Sequence, residues 1–298
     1  MTLTEGPTRP QLVAELAEVV RAPHEARFIV DEVLALGLVL GHPDPRAAAL
    51  GADAVAAARA LAARRAAGEP LQYVFGHWPF RTLDLLVDPR VLIPRPETEQ
   101  VVEVALAEAR RLGGDLVVVD AGTGSGAIAL SLAAELGPGA LRSVWATDTS
   151  ADALDVARAN LEALRRTGAP LPPVELVPGS WLAALPPSLR GAMHLVVSNP
   201  PYVSAAEWEH LDAEVRREPR RALVAGPAAD GTDGLADVQA VLAQARQWLG
   251  RPGAAVVELA PHQAEAASGL AEDLGYEAVR VEPDLAGRPR ALVARTGS

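Results

Sequence analysis

Residues 115–136, DLVVVDAGTGSGAIALSLAAEL, predict a buried strand, a glycine-rich turn and a helix in direct succession. The strand is expected over 115–120 and the helix over 126–136, with the turn running from Gly122 to Gly126. Glycines at such a turn permit tight bending and let a ligand approach the backbone closely. The stretch therefore indicates an α/β unit with a candidate ligand site, although a purely structural turn would carry the same pattern.

Strand-like and helix-like segments alternate along the rest of the chain. Strands are predicted at 141–148, 173–179, 193–199 and 253–260, helices at 150–166, 234–249 and 262–274, and a closing antiparallel pair at 276–283 and 290–295. Near-continuous apolar strands separated by helices favour a parallel sheet that is covered on both faces. Ligands of such open sheets bind at the carboxyl ends of the strands.

The N-terminal part of the chain has a different pattern. Residues 8–66 show helical apolar periodicity and predict a small all-helical domain, with breaks at Ala22-Pro23 and at 41–45. No group of polar residues in this stretch suggests chemistry. We therefore expect the domain to recognise a large partner.

Aromatic and apolar residues on both sides of Gly76 predict a β-hairpin over 70–89, which takes in Tyr73, Val74 and Phe75. A helix is expected to begin near Glu97. The predicted organisation is a helical substrate-recognition domain at 1–69, a hairpin linker at 70–94 and the sheet domain at 95–298.

The composition of the 298-residue chain excludes several classes of protein. Its lack of cysteine excludes disulfides, thiolate metal sites and a cysteine nucleophile. No apolar run approaches the roughly 18 residues of a membrane span, and the first residues lack the features of a secretory signal. The formal net charge of −11 disfavours binding to phosphate backbones. We expect a cytoplasmic monomer with no membrane or direct nucleic-acid partner and, because its histidines lack ligand spacing, no metal.

Two acidic residues favour S-adenosyl-L-methionine over NAD as the ligand of the glycine turn. Asp120 ends the strand before the first glycine, where it suits the cationic amino group of a methionine moiety and would repel a pyrophosphate. Asp148 ends the next predicted strand and can accept hydrogen bonds from a ribose diol. The glycine spacing alone also satisfies a dinucleotide fingerprint.

The run Asn199-Pro200-Pro201-Tyr202 ends the predicted strand at 193–199. Two prolines remove two backbone donors and fix two φ angles, so the turn is stiff. The side-chain carbonyl of Asn199 and the backbone carbonyl of Pro200 can hold both hydrogens of a planar NH2 group, and Tyr202 can place its ring against that group. A structural strand exit is the alternative interpretation.

This arrangement suits methyl transfer to an amide or aromatic amine. Such a nitrogen is a weak nucleophile because its lone pair is delocalised, and two acceptors can orient it and stabilise the developing positive charge. Three functions fit: a protein-glutamine methyltransferase, an adenine-N6 nucleic-acid methyltransferase, and a catalytically silent cofactor-binding protein. The acidic charge weighs against the second, and the intact Asn-Pro-Pro-Tyr turn weighs against the third.

The motifs together resemble the HemK/PrmC-type peptide chain release factor glutamine methyltransferases over nearly the whole chain. They are Gly68 to Tyr73 with Gly76, Leu92 to Glu99 (LIPRPETE), Asp120 to Gly126, Asn199 to Tyr202, Glu218-Pro219 with Ala222-Leu223, and Asp284 with Gly287 and Arg290. The resemblance implies a Rossmann-like class I S-adenosylmethionine-dependent methyltransferase sheet. It also implies N5-methylation of the glutamine in the Gly-Gly-Gln motif of class 1 peptide chain release factors.

The resemblance further implies roles at the matching positions. Asp120, Ala121, Gly122, Thr123 and Gly124 would line the methionine end of the cofactor. Asp148 would bind the ribose and Trp181 would flank the adenine, while Asn199 would contact both the methionine end and the substrate. The implied catalytic residues are Asn199, Pro200 and Tyr202, and the implied substrate-binding residues are Asn199, Pro200, Pro201 and Tyr202.

The chain departs from the family pattern at three places. Ser180 stands where many related enzymes carry an acid, residues 225–234 form a longer turn than usual, and residues 258–263 lack a glycine after Glu258.

The basic cluster from Arg216 to Arg221 has two open interpretations, a solvated helix face or a contact to acidic or RNA-like groups on a partner.

Overall fold

The computed structural model describes residues 6–39, 50–226 and 234–297. It divides into two compact units, one reaching to Gly76 and including Ala213–Arg217, and one comprising His77–Asp212 and the residues from Glu218 onward. The predicted break at 41–45 and most of the long turn at 225–234 lie outside the described residues. The functional partition at residues 69 and 94 stays a prediction.

The first unit is helical, as predicted. Its helices are α1 (Arg9–Val20), α2 (Pro23–Val39), α3 (Ala52–Ala66) and α4 (Leu71–Phe75). Their apolar stripes meet in one core that contains Leu12, Leu16, Ile29 and Val55, each at most 5% exposed. Helices of this length gain most of their stability from such packing of an apolar face.

The prediction that Tyr73, Val74 and Phe75 belong to the hairpin is wrong, because they form α4. Gly76 ends this helix in a left-handed conformation, with φ of 81°. The Arg64 guanidinium donates hydrogen bonds of 2.9 Å to the carbonyls of both Tyr73 and Val74. A cation on the last carbonyls stabilises a helix C-terminus, and here it overrides the strand preference of aromatic and β-branched residues.

The hairpin lies further along the chain, in the second unit. Its strands are β1 (His77–Phe80) and β2 (Leu83–Leu86), paired antiparallel. The side chains of Phe80 and Leu85 are buried in the core of the sheet unit. The hairpin is thus part of that unit's hydrophobic core.

The remaining helices and strands of the second unit alternate as predicted, except for two short helices at 205–208 and 220–223 that were not predicted. In chain order these elements are α5 (Pro96–Leu112), β3 (Leu116–Ala121), α6 (Ala127–Leu136), β4 (Leu141–Asp148), α7 (Ala151–Arg166), β5 (Val174–Pro178), β6 (Met193–Ser198), α8 (Ala205–Trp208), α9 (Arg220–Leu223), α10 (Ala236–Trp248), β7 (Leu249–Glu258), α11 (Ala264–Asp273), β8 (Ala278–Pro283) and β9 (Pro289–Thr296). The described strands β3 to β9 form one sheet in the order β5-β4-β3-β6-β7-β9-β8. Strands β3 to β7 pair in parallel, and β8 and β9 close the sheet antiparallel.

Both faces of the sheet are covered. Val118 packs on one side with α5 and α6, while its neighbours Val117 and Val119 pack on the other side with α10 and α11. Every residue of β3 is buried, as expected of a central parallel strand. In the described part of the chain, no helix is long and apolar enough to cross a membrane.

The strand register brings polar residues to one edge of the sheet. Asp120 lies opposite Val197 of β6, and Ser198 lies opposite Val257 of β7. The residues that follow these strand positions therefore emerge side by side at the carboxyl ends, which is where open parallel sheets bind ligands.

Candidate active site

A cavity of about 360 Å³ opens at the carboxyl ends of β3, β4 and β6. It brings together most of the residues that the sequence predicted for the site. Those that line it are Gly122, Thr123, Gly124, Asp148, Trp181, Asn199 and Pro201, while Asp120, Ala121, Pro200 and Tyr202 lie outside the lining.

The glycine turn between β3 and α6 forms one wall of the cavity. Gly122 and Gly124 have φ angles of 82° and 56°, which L side chains rarely adopt. The backbone amides of Gly122 and Thr123 both donate to the carbonyl of Thr147, at 2.9 and 2.8 Å. A Cβ at position 122 would lie 3.0 Å from the Trp181 ring, whereas one at position 124 would meet nothing within 4 Å. The space beside the Gly124 backbone is therefore open within the cavity.

Asp148 is held by two backbone amides. Its Oδ2 accepts a hydrogen bond of 2.9 Å from Gly124, and its Oδ1 accepts one of 2.8 Å from Ser150. Each carboxylate oxygen can accept more than one hydrogen bond. The carboxylate is thus fixed in place and keeps acceptor capacity for the hydroxyls of a ligand.

Asp120 is completely buried behind the glycine turn. Its Oδ2 accepts hydrogen bonds from the Thr123 hydroxyl at 2.6 Å and the Ala129 amide at 3.0 Å. Its Oδ1 has no hydrogen-bond partner among the described residues. Burial, with a smaller contribution from the charge of Asp148, raises the pKa of Asp120 to about 7 against the lowering effect of both hydrogen bonds. A cation close to Oδ1 would satisfy this oxygen and stabilise the ionised form.

Trp181 supplies a flat apolar wall. It adopts a positive φ of 48°, which is uncommon outside glycine. The turn is held by Gln244, whose Oε1 accepts hydrogen bonds of 3.1 Å from the amides of Leu182 and Ala183. Ser180, which stands where many related enzymes carry an acid, also lines the cavity.

Asn199 lies at the cavity edge and is tied to a buried polar chain. Its Nδ2 donates a hydrogen bond of 3.1 Å to Thr98 Oγ1, and that hydroxyl lies 2.7 Å from Glu258 Oε2. Thr98 and Glu258 are 4% and 0% exposed. Sequence reasoning assigned neither of them a role in the site. Glu258 could have been recognised as a candidate because it is a charged residue at the end of the apolar strand β7.

The segment after Asn199 is anchored by its backbone. The Tyr202 carbonyl accepts a hydrogen bond of 3.1 Å from Gln263, and Val203 exchanges backbone hydrogen bonds with Leu223 and Ala225. Pro200 is buried and Tyr202 half-buried. Burial, together with the negative charge of Glu258, raises the pKa of the Tyr202 hydroxyl, so Tyr202 is neutral and is not a general base near pH 7.

The Leu92–Glu99 segment contributes a further wall. The Arg95 guanidinium donates to the buried Glu218 carboxylate, whose second oxygen accepts the Ile93 amide at 2.9 Å. Arg221 also lines the cavity and donates to the Ser150 hydroxyl, while Arg220 lies over the Trp208 ring at 5.6 Å. These two arginines therefore have intramolecular partners. No cluster of metal-ligating side chains occurs in the described residues.

The glycine turn after β3, the Asp148 carboxylate and Asn199 meet at one cavity, as predicted for a methyltransferase of this fold. In agreement, the family model "Methyltransferase small domain" matches residues 105–226. A solved methyltransferase structure from Pyrococcus furiosus has a similar fold, with a TM-score of 0.52, 19% identity and coverage of 73% of this chain and 91% of that one.

Curated relatives define the family more closely. The chain is 43% identical over 248 residues to the release factor glutamine methyltransferase of Burkholderia pseudomallei, covering 82% of each chain. It is 39% identical over 275 residues to that of Deinococcus radiodurans, covering 91% of this chain and 90% of the relative. The chain belongs to the release factor glutamine methyltransferase family.

Proposed function

We propose that this chain transfers a methyl group from S-adenosyl-L-methionine to the side-chain nitrogen of the glutamine in the Gly-Gly-Gln motif of class 1 peptide chain release factors, acting as a monomer in the cytoplasm. The observation that carries the proposal is Asn199, which lines the cavity with its amide nitrogen already engaged by Thr98. The names of the relatives support the choice of substrate.

The residues that line the cavity, together with Asp120 buried behind its glycine turn, fit the cofactor. The unpaired buried Oδ1 of Asp120 suits a nearby ammonium group. The acceptor capacity of Asp148 suits a ribose diol, and the Trp181 ring suits one face of an adenine. When bound, S-adenosylmethionine supplies a methyl group made electrophilic by the sulfonium.

The turn after β6 would hold the acceptor. Asn199 Oδ1 accepts one hydrogen of the glutamine amide and the Pro200 carbonyl accepts the other, so the nitrogen lone pair is directed at the methyl group. Positive charge that develops on the nitrogen is stabilised by the same two oxygens. A carbon–nitrogen bond forms, the carbon–sulfur bond breaks with its electron pair staying on sulfur, and the nitrogen releases one proton to solvent. No strong base is needed before attack, consistent with a neutral Tyr202.

A transfer assay with a labelled methyl donor tests the proposal. The acceptors, offered in parallel, are a release factor, the same factor with its Gly-Gly-Gln glutamine replaced by alanine, and double-stranded DNA. We expect label on the intact factor alone. Label on DNA would show that the protein is an adenine-N6 nucleic-acid methyltransferase. Cofactor binding without any methyl transfer would show that it is a catalytically silent binding protein.

A further inference from the structure

Three polar side chains from distant parts of the sequence form a buried chain that ends at the cavity. Glu258 stands at the end of β7, Thr98 in the first turn of α5, and Asn199 directly after β6. The Thr98 hydroxyl is the link, 2.7 Å from Glu258 Oε2 and 3.1 Å from Asn199 Nδ2. Parallel pairing of Ser198 with Val257 sets the next residues, Asn199 and Glu258, on neighbouring strands.

The direction of these hydrogen bonds follows from the number of hydrogens available. A threonine hydroxyl has a single hydrogen, and an ionised carboxylate can only accept. Thr98 therefore donates to Glu258, and its oxygen can only accept from Asn199. Of the two ends of the Asn199 amide, only the NH2 end can satisfy that oxygen, so the carbonyl end is directed away from Thr98.

We propose that Thr98 and Glu258 are positioning residues that lock the amide orientation of Asn199, so that its carbonyl always faces the substrate NH2 group. This inference rests on the proposed function. A flipped Asn199 would present its own NH2 to the substrate NH2, and two donors facing each other form no hydrogen bond. Free rotation would therefore remove half of the acceptor pair and misalign the reacting nitrogen.

The charge environment of Glu258 supports an ionised carboxylate during catalysis at mildly alkaline pH. Burial raises its pKa to about 7, while the Thr98 hydrogen bond and Arg290 oppose that rise. Arg290 Nη1 lies 4.0 Å from Glu258 Oε1 and donates to the Leu259 carbonyl at 3.2 Å. The other charged or titratable groups facing this carboxylate or its arginine are Arg95, Glu97, Tyr202 and Asp284.

The first two variants each remove one hydrogen-bonding side chain that fixes Asn199. Glu258→Leu removes the acceptor of the Thr98 hydroxyl, which frees the hydroxyl hydrogen to bind the Asn199 carbonyl and flip the amide. Thr98→Val removes the hydroxyl at nearly constant shape. In single-turnover assays at pH 8.5 with saturating S-adenosylmethionine, we expect both to slow transfer by about 10- to 100-fold. Cofactor affinity should stay unchanged in the Glu258 variant, because Glu258 is not among the residues that line the cavity. Thr98→Ser should restore most of the rate lost in Thr98→Val.

A double-variant cycle separates positioning from general structural damage. Because Glu258 acts through Asn199, Glu258→Leu should slow the wild type but cause no further loss in Asn199→Ala. Glu108→Gln, which also neutralises a buried carboxylate and touches neither Asn199 nor the cavity, should keep the wild-type rate at a temperature where it is folded. Thr98→Val leaves the buried Glu258 without its donor and can unfold, so Glu258→Leu is the decisive variant.

Two results would overturn the inference: a wild-type rate in folded Glu258→Leu, or a loss in Glu258→Leu that multiplies with that of Asn199→Ala. Either leaves the proposed function standing, provided that Asn199→Ala itself is slow. A wild-type enzyme that methylates no release factor would instead overturn the proposed function, and the positioning role with it.

Discussion

The backbone amide of Gly124 donates a hydrogen bond of 2.9 Å to Asp148 Oδ2, which ties the glycine turn after β3 to the end of β4. The second oxygen of the same carboxylate accepts from Ser150, which caps α7 by accepting from the Ala153 amide. Asp148 is expected to bind the ribose of the cofactor, and it also fixes the shape of the glycine turn beside it.

We expect Asp148→Ala to weaken S-adenosylmethionine binding by about 1–3 kcal/mol, since hydrogen bonds to a ligand are lost and the Gly124 amide loses its acceptor. Isothermal titration calorimetry measures the change. Asp152→Ala, an exposed acid in the first turn of α7, serves as the control and should bind like the wild type. NAD binding without S-adenosylmethionine binding would contradict the assignment of the cofactor.

Gly124 allows a second test of the cavity. Gly124→Ala and Gly168→Ala both place a side chain on a left-handed backbone, and in both cases the added Cβ meets nothing within 4 Å. Each should cost roughly 1–2 kcal/mol of stability from backbone strain. Only Gly124 lines the cavity, so only Gly124→Ala should also weaken cofactor binding, by tenfold or more. Equal affinities of the two variants, measured by calorimetry beside thermal unfolding, would contradict a ligand in contact with Gly124.

Local sequence patterns predicted most of the fold because its strands are apolar and are separated by amphipathic helices. One exception is α4, where apolar and aromatic residues predicted a strand. This helix is stabilised at its C-terminus by Arg64, whose guanidinium donates to the carbonyls of Tyr73 and Val74. Such a contact is set by how α3 and α4 pack, so residue preferences in residues 71–75 could not reveal it.

The site was predictable to the extent that it lies at strand ends. Asp148, Gly124 and Asn199 follow adjacent strands and meet at one cavity. Asp120 lies one residue before the end of β3, but its side chain is buried behind the glycine turn, and nothing in the sequence distinguishes these two orientations. The link from Thr98 to Glu258 spans 160 residues and depends on how α5 packs against β7, which a single sequence does not encode locally.

The helical unit can be tested by truncation at a boundary chosen from the packing. A chain that begins at His77 keeps the hairpin, whose Phe80 and Leu85 belong to the core of the sheet unit. We expect it to bind S-adenosylmethionine but to methylate a release factor at least tenfold more slowly, if the helical unit recognises that substrate.

A chain that begins at Pro89 is the informative comparison. This shorter chain lacks Leu86, whose backbone is hydrogen-bonded to the Asn160 side chain. The same side chain also donates to the carbonyl of Ser125 in the glycine turn. The shorter chain should therefore be less stable and bind the cofactor more weakly. Circular dichroism must first show that each shortened chain folds. Full activity of a folded chain from His77 would remove the recognition role.

The buried carboxylate of Glu108 should make the free energy of unfolding depend on pH. This carboxylate is 1% exposed and accepts hydrogen bonds from Arg295, Arg280 and Arg111. Burial alone would raise its pKa, but the three arginines lower it to about 2 from 4.5. Because the folded-state pKa is the lower one, the stabilisation is complete above about pH 4.5 and is lost as the pH falls towards 2.

The matching variant is Glu108→Gln, which leaves three arginines without their carboxylate. At pH 7 we expect its free energy of unfolding to lie on the order of 3 kcal/mol below that of the wild type, and the two should converge as the pH falls from 5 to 2. Chemical denaturation at each pH measures this difference. Glu103→Gln, on the exposed side of the same helix, should change stability by less than about 1 kcal/mol. A difference between Glu108→Gln and the wild type that stays constant from pH 7 to 3 would contradict the assigned pKa.

Asn199 provides the test of the chemical step. Asn199→Ala removes one acceptor and the alignment that it gives, so single-turnover transfer at saturating cofactor should fall by about two to three orders of magnitude. Asn199→Asp keeps the shape and an acceptor but adds a negative charge near the sulfonium. That charge stabilises the cationic ground state more than the charge-dispersed transition state, so transfer should slow while cofactor binding is retained. Tyr202→Phe should cost less, because the ring face and not the hydroxyl is the proposed contact. If Asn199→Ala transfers the methyl group at nearly the wild-type rate, the turn is structural and the amide clamp is wrong.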